Sequence, residues 1–276
     1  MRTVSRRRFL ERSVTGVAAT GLGVSSLDAQ DWARQAVDKS PRRREWVTVK
    51  HGGRSVESIV VQPQSRDRDK APAIVVIHEI FGMTDWVENV ADEFAEAGYL
   101  AIAPDLLSGM APNGGRTKDL PANEVGQAVR TLPPDQVTAD LNALVDYCKK
   151  LPACNGKVCV VGFSWGGGQT FRFATSRKDL SAAFVFYGSG PAPETIAGIQ
   201  APVYGFYAEN DERINATVPQ TQEQMKAAKK TFEAVTYAGA AHGFMRAGAQ
   251  PGATDANKKA RAAAWVKLKA LRETYK

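Results

Sequence analysis

The sequence is poor in the residues that build metal centres and covalent scaffolds: 276 residues contain three cysteines and three histidines. Three cysteines cannot assemble a disulfide-stapled domain, and no Cys-x-x-Cys pair is present to hold a structural zinc. His78-Glu79 begins like a His-Glu-x-x-His zinc site, but position 82 is glycine, which disfavours metal-assisted hydrolysis. The glycine run Gly166-Gly167-Gly168 leads into Gln169-Thr170 without a lysine, so it is no phosphate-cradling loop. A Gly-x-Gly-x-x-Gly dinucleotide pattern does not fit it either, and no cofactor is expected. The uncharged stretch from Ser13 to Leu27 runs only fifteen residues and is rich in Gly, Ala, Ser and Thr. It is too short and too weakly apolar to span a bilayer. What remains is ordinary for a globular protein: 43% hydrophobic, 24% charged and 8% aromatic residues. Such a chain buries enough apolar surface to offset its ordering entropy.

The unusual number is a formal charge of +7, and much of it sits at the front. Ser5-Arg6-Arg7-Arg8-Phe9-Leu10 resembles the twin-arginine export consensus. It is followed by the weakly apolar stretch and by small residues before Ala29. Residues 1–29 therefore read as an export signal cleaved near Ser26 to Ala29, giving an exported, periplasmic or secreted protein that meets the twin-arginine machinery in transit. No cysteine precedes Cys148, so a lipid anchor at the cleavage site is excluded. Without residues 1–29 the chain has 31 basic against 27 acidic side chains, a net of +4. Residues 30–45 read as a linker, with Arg42-Arg43-Arg44 as a solvated basic run. Without interleaved aromatics, that run is a weak nucleic-acid signal.

From Trp46 onward, short apolar runs alternate with amphipathic stretches. A hairpin is expected around His51-Gly52-Gly53. Buried strands are expected at Ala73–His78, Tyr99–Ala103, 157–161, 182–187, 203–207 and 232–237. Helices are expected at 85–97, 135–151, 165–175, 218–230 and 254–274, and 108–121 reads as a surface loop. Strands alternating with helices imply βαβ units. The expected fold is one α/β domain over 46–276, with a mostly parallel central sheet and helices on both faces. Cys159 falls in a strand core, whereas Cys148 and Cys154 flank a helix end and are placed to pair or to stay free.

The strongest chemical signal is Gly162-Phe163-Ser164-Trp165-Gly166, a Gly-x-Ser-x-Gly turn between a buried strand and a helix. Such a turn lifts the serine hydroxyl above the carboxyl end of the sheet and needs glycines where a Cβ would meet the neighbouring chain. A serine needs a base, and on such a sheet the chain order is serine, acid, histidine. Only His242 follows Ser164. The acid belongs after a preceding strand, which makes Asp211 the choice and Glu209 the reserve. At the end of Ala73–His78, the Ile80 amide is placed to join the Trp165 amide in binding an oxyanion. His51 is not expected to take part in turnover.

His78-Glu-Ile-Phe-Gly82, Pro104-Asp-Leu106, Gly162-Phe-Ser-Trp-Gly-Gly167, Asp211 and His242-Gly-Phe-Met-Arg246 together resemble the dienelactone hydrolase family, from about Trp46 to the C-terminus. The resemblance implies an α/β-hydrolase fold and hydrolysis of a small-molecule ester or lactone. It also implies that Glu79 faces the nucleophile and that Arg246 helps bind a substrate carboxylate. Two departures stand out. The family's usual nucleophile is cysteine, and here it is Ser164. The family's second carboxylate-binding arginine is missing near Leu107-Ser108-Gly109, where Arg116 is the available substitute. With a serine, Glu79 loses a thiolate-gating role, and it either orients Ser164 or pairs with Arg246. The expected activity is therefore ester or lactone hydrolysis through an acyl-enzyme. The competing expectation is a non-catalytic ligand-binding protein on the same scaffold.

Overall fold

The computed structural model describes residues 30–64 and 70–276. The export reading of residues 1–29 lies outside them. Period-two alternation forms a hairpin of β1 (Arg44–His51) and β2 (Arg54–Val61). Gly52 and Gly53 turn it with φ of 49° and 79°, the positive values that a tight hairpin of this hand demands. Continuous apolar runs form β3 (Ala71–Ile77), β4 (Leu100–Pro104) and β5 (Cys154–Phe163). They are followed by β6 (Ala182–Phe186), β7 (Val203–Asn210) and β8 (Phe232–Ala241). The eight strands form one sheet in the order β1-β2-β4-β3-β5-β6-β7-β8. β2 is antiparallel to β1 and β4, and the pairs from β4 to β8 are parallel.

Both faces of this sheet are covered, which is why its central strands read as near-continuous apolar runs. On one face Ile74, Val76, Phe163 and Phe186 pack against Trp86, Phe94 and Trp265. These aromatics come from α2 (Asp85–Glu96) and α9 (Asp255–Arg272). On the other face Val75, Ile77 and Val160 meet Leu141, Leu144 and Phe171. Those belong to α4 (Pro134–Lys150) and α5 (Trp165–Ser176). Each fully buried Val, Ile or Leu contributes roughly 1.5–3 kcal/mol relative to exposure. The layered core thus outweighs the weak propensity of α5's glycine-rich start. Among the described residues no helix is long and apolar enough to cross a membrane.

One expectation is corrected. The linker reading of 30–45 fails, because Asp31–Lys39 forms helix α1 and β1 already begins at Arg44. Its apolar stripe is only Ala33 and Val37, too sparse to register as a periodic pattern. Tertiary contacts hold it: Arg34 pairs with Glu88 at 2.5 Å, Arg42 with Asp92 at 2.5 Å, and Ser40 donates to Asp92 at 2.6 Å. Arg42 is accordingly not part of a solvated run. The chain after the Gly- and Pro-rich loop, where no element was expected, forms α3 (Ala122–Arg130), which buries only Val125 and Val129 and carries Gly126 in its interior. Of the two alternatives left open for Cys148 and Cys154, the structure shows the unpaired one. All three cysteines are free and buried, and burial pushes the Cys148 and Cys159 thiols well up.

Candidate active site

Ser164 sits between β5 and α5 with φ 55° and ψ −112°. A non-glycine residue in this region carries roughly 1–3 kcal/mol of strain, which persists only where the surroundings enforce it. Here two backbone bonds do so: Ser164 N–H donates to Phe186 O at 3.0 Å, and Gly168 N–H donates to Ser164 O at 3.1 Å. The flanking glycines are needed for close approach. A Cβ on Gly162 would collide with the Gly166 carbonyl, and one on Gly166 with the carbonyls of Ile77 and His78. The first turn of α5 therefore lies directly against the end of β3, where Glu79 and Ile80 follow.

The register of the last two strands supplies the other two groups. Asn210 of β7 is paired with Ala241 of β8, so Asp211 and His242 each lie one residue beyond the same rung. Asp211 is buried and heads the short helix α6 (Glu212–Asn215). His242 precedes Gly243 and the short helix α8 (Phe244–Ala247). His242 Nδ1 lies 2.5 Å from Asp211 Oδ2, and His242 Nε2 lies 2.8 Å from Ser164 Oγ. A carboxylate accepts only, so Nδ1 carries the proton and Nε2 presents its lone pair to the serine hydroxyl. Glu209, the reserve acid, instead accepts from the Gly239 N–H at 2.7 Å on the exposed side of β8. His51 lies far along the chain from these groups, bonded to the buried Asp140 at 2.7 Å.

The structure also brings Glu79 and Arg246 together. Arg246 Nε donates to Glu79 Oε2 at 2.8 Å, with the guanidinium over the Phe81 ring at 5.1 Å from its centroid. Burial acts to lower the Arg246 pKa, but the Glu79 carboxylate outweighs it and the net direction is up. Of the two roles expected for Glu79, the pairing with Arg246 is therefore the one observed. Arg116 lies over the Trp46 ring, 3.7 Å from its centroid, and does not line the cleft beside Ser164. Ile80 and Trp165 both border the cleft beside Ser164. Among the described hydrogen bonds, neither of their amides donates to a protein acceptor.

Two neighbours escaped the sequence reading. Tyr187, read there only as the end of a strand, has φ 39° and is fully buried. Its ring meets the His242 ring edge-on at 5.1 Å between centroids. Burial, and then the charge of Glu79, push its hydroxyl well above the ordinary tyrosine range. His78, also fully buried, stacks on Trp165 at 5.5 Å, and its Nδ1 lies 2.7 Å from the Glu79 carbonyl. Desolvation lowers its pKa, which favours the neutral imidazole. The signal available for both was their position at the carboxyl end of a parallel strand, where ligand sites gather.

A parallel sheet with helices on both faces, a strained serine at a strand–helix turn and an acid and histidine on the last two strands define the class: this is an α/β-hydrolase fold. The family model described as "Dienelactone hydrolase family" matches residues 56–275, and the chain belongs to that family. It is 31% identical over 219 residues to a protein of Salmonella typhi named "Putative carboxymethylenebutenolidase", covering 75% of this chain and 79% of that protein. A protein of the same name from Methylorubrum extorquens is 32% identical over 185 residues, and the match spans 63% of each chain. Among solved structures, a "Putative Dienelactone Hydrolase" of Klebsiella pneumoniae superposes with a TM-score of 0.72 at 24% identity, covering 84% of this chain and 98% of that one. That likeness speaks for the fold.

Proposed function

We propose that this protein hydrolyses carboxylic esters or lactones through an acyl-enzyme on Ser164. The observation that carries the reading is the continuous chain from Ser164 Oγ through His242 to Asp211, at 2.8 and 2.5 Å. In this mechanism His242 Nε2 takes the hydroxyl proton as Oγ attacks the carbonyl carbon. Asp211 holds the imidazole in the required tautomer and stabilises the imidazolium that forms. The oxyanion rests on the Ile80 and Trp165 amides, each worth about 3 kcal/mol in sites of this kind. His242 then returns its proton to the leaving oxygen, and water, activated by the same imidazole, cleaves the acyl-enzyme.

A serine in place of the family's usual thiol is consistent with where the cysteines lie. Cys148, Cys154 and Cys159 are all buried away from the cleft, so no thiol competes for the role. The same proposal includes export by the twin-arginine route, tested by whether the mature N-terminus of cell-fractionated protein lies near Ala29. For the chemistry, purified protein should hydrolyse p-nitrophenyl acetate, and Ser164 should be labelled by a fluorophosphonate. Ser164→Ala should abolish both, and a variant that keeps full turnover would refute the mechanism.

A further inference from the structure

The cleft that opens at Ser164 does not end there. It has a volume of about 880 Å³ and continues along one face of α5, past Trp165, Gly168, Gln169 and Arg172. These positions recur at three- and four-residue spacing, so a whole stripe of the helix faces a cavity instead of protein. Two further arginines line it, Arg130 from the end of α3 and Arg213 from α6, and Asp135 is the one acid on its walls. The cleft thus carries three arginines against one acid.

Arg172 is the one held in place by side-chain bonds. Its Nε donates to Gln169 Oε1 at 3.0 Å, one Nη to Thr138 Oγ1 at 2.9 Å and the other to the Pro134 carbonyl at 2.8 Å. All three acceptors are neutral. Among the described residues no carboxylate lies within ion-pair distance of Arg172, Arg130 or Arg213. A guanidinium has five N–H groups, so one remains on each Nη, the spacing that a carboxylate accepts in bidentate fashion. Desolvation lowers the Arg172 pKa, with only Asp135 opposing it. Its charge is therefore imperfectly compensated in the protein alone, which is the condition an incoming anion relieves. Arg246 cannot serve here, being neutralised by Glu79 and absent from the walls of this cleft.

We propose that Arg172, on the cleft wall two turns of α5 beyond Ser164, binds a carboxylate carried on a long arm of the substrate, with Arg130 and Arg213 adding positive charge to the same cleft. Resting on the Ser164 reading, this makes the preferred substrates esters of medium-chain compounds with a terminal carboxylate. Eight residues separate Ser164 from Arg172, about 12 Å of helix rise, with the arginine side chain leaning back toward the helix N-terminus. A short hemiester such as a succinate does not bridge that span, whereas a suberate does.

Two measurements test it. Calorimetry with suberate itself should show saturable binding to the intact protein, at least tenfold weaker for Arg172→Gln and for Arg213→Gln, and much weaker for succinate. Arg213 is exposed and makes no recorded side-chain bond, so its variant guards against a mere folding defect of Arg172→Gln. In turnover, kcat/KM for p-nitrophenyl hemisuberate, or for the acetate ester of ω-hydroxyoctanoate, should exceed that of the matched neutral ester at least tenfold. Both substitutions should bring that ratio toward one. Absence of suberate binding, or binding unaffected by either substitution, overturns the subsite. Arginine-dependent suberate binding without Ser164-dependent ester hydrolysis would leave the subsite standing and sink the hydrolase reading instead.

Discussion

Replacing Glu79 by glutamine removes one negative charge from an almost closed environment and changes little else. The Glu79 side chain is 4% exposed and that of Arg246 19%, and they meet at 2.8 Å. The guanidinium cannot discharge itself by losing a proton. Glu79→Gln therefore leaves a positive charge beneath Phe81 with a neutral amide as its partner. Breaking a buried pair in this way costs about 3–5 kcal/mol, and the residual access of Arg246 to water brings the expectation down to about 2–4 kcal/mol. At this chain length each kcal/mol moves the melting temperature by roughly 2 °C, so the variant should melt roughly 4–8 °C lower. Differential scanning calorimetry and urea denaturation at one pH would measure it. Arg246→Met should also destabilise the protein, because it strands the Glu79 carboxylate. The double variant Glu79→Gln/Arg246→Met should recover much of the loss, giving a coupling energy of about 2 kcal/mol or more. A Glu79→Gln protein within a degree of the parent, or two strictly additive losses, would refute the view that Glu79 serves to neutralise Arg246.

Asp211→Asn should fold normally and lose about 10³–10⁴-fold in kcat, because an amide can favour the wrong imidazole tautomer. Glu209→Gln should retain most of the activity, and stopped assays on both variants compare the two acids directly. Gly162→Ala should cost about 3 kcal/mol or more in urea titration, since its Cβ meets a backbone carbonyl that cannot move aside. Gly168→Ala, four residues into the same helix region, would place its Cβ an ordinary 3.5 Å from Ser189 Oγ. It should be neutral or stabilise by about 0.5–1 kcal/mol. Ellman's reagent should find no reactive thiol in the native protein and all three in guanidinium. A single thiol in guanidinium would instead reveal a Cys148–Cys154 bridge.

What could be read from the sequence divides along a physical line. Strands buried on both faces announce themselves, because β3 and the second half of β5, from Val158 on, are buried at every position, and the serine turn is written in five contiguous residues. Asp211 and His242 were within reach because strand order on a parallel sheet converts sequence order into position, and the Asn210–Ala241 rung places both at one end. Helix α1 was hidden because its stability is held in Arg34–Glu88 and Arg42–Asp92, partners some fifty residues apart that leave no local pattern. The arginines that line the cleft were hidden for the same reason. Arg130, Arg172 and Arg213 lie on three different helices, and each alone looks like a solvated surface residue. A periodicity reports which face of an element is dry, but not which charged residues from separate elements converge on one cavity. On the proposed reading, the arginines along this cleft decide which esters reach Ser164 with all their charges satisfied. Substrate choice is therefore the property least visible in the sequence, and one that a charge-swap at Arg213 tests most directly: Arg213→Glu should invert the preference, favouring neutral over carboxylate-bearing esters. If the carboxylate preference survived that reversal of charge, recognition in this cleft would not be electrostatic.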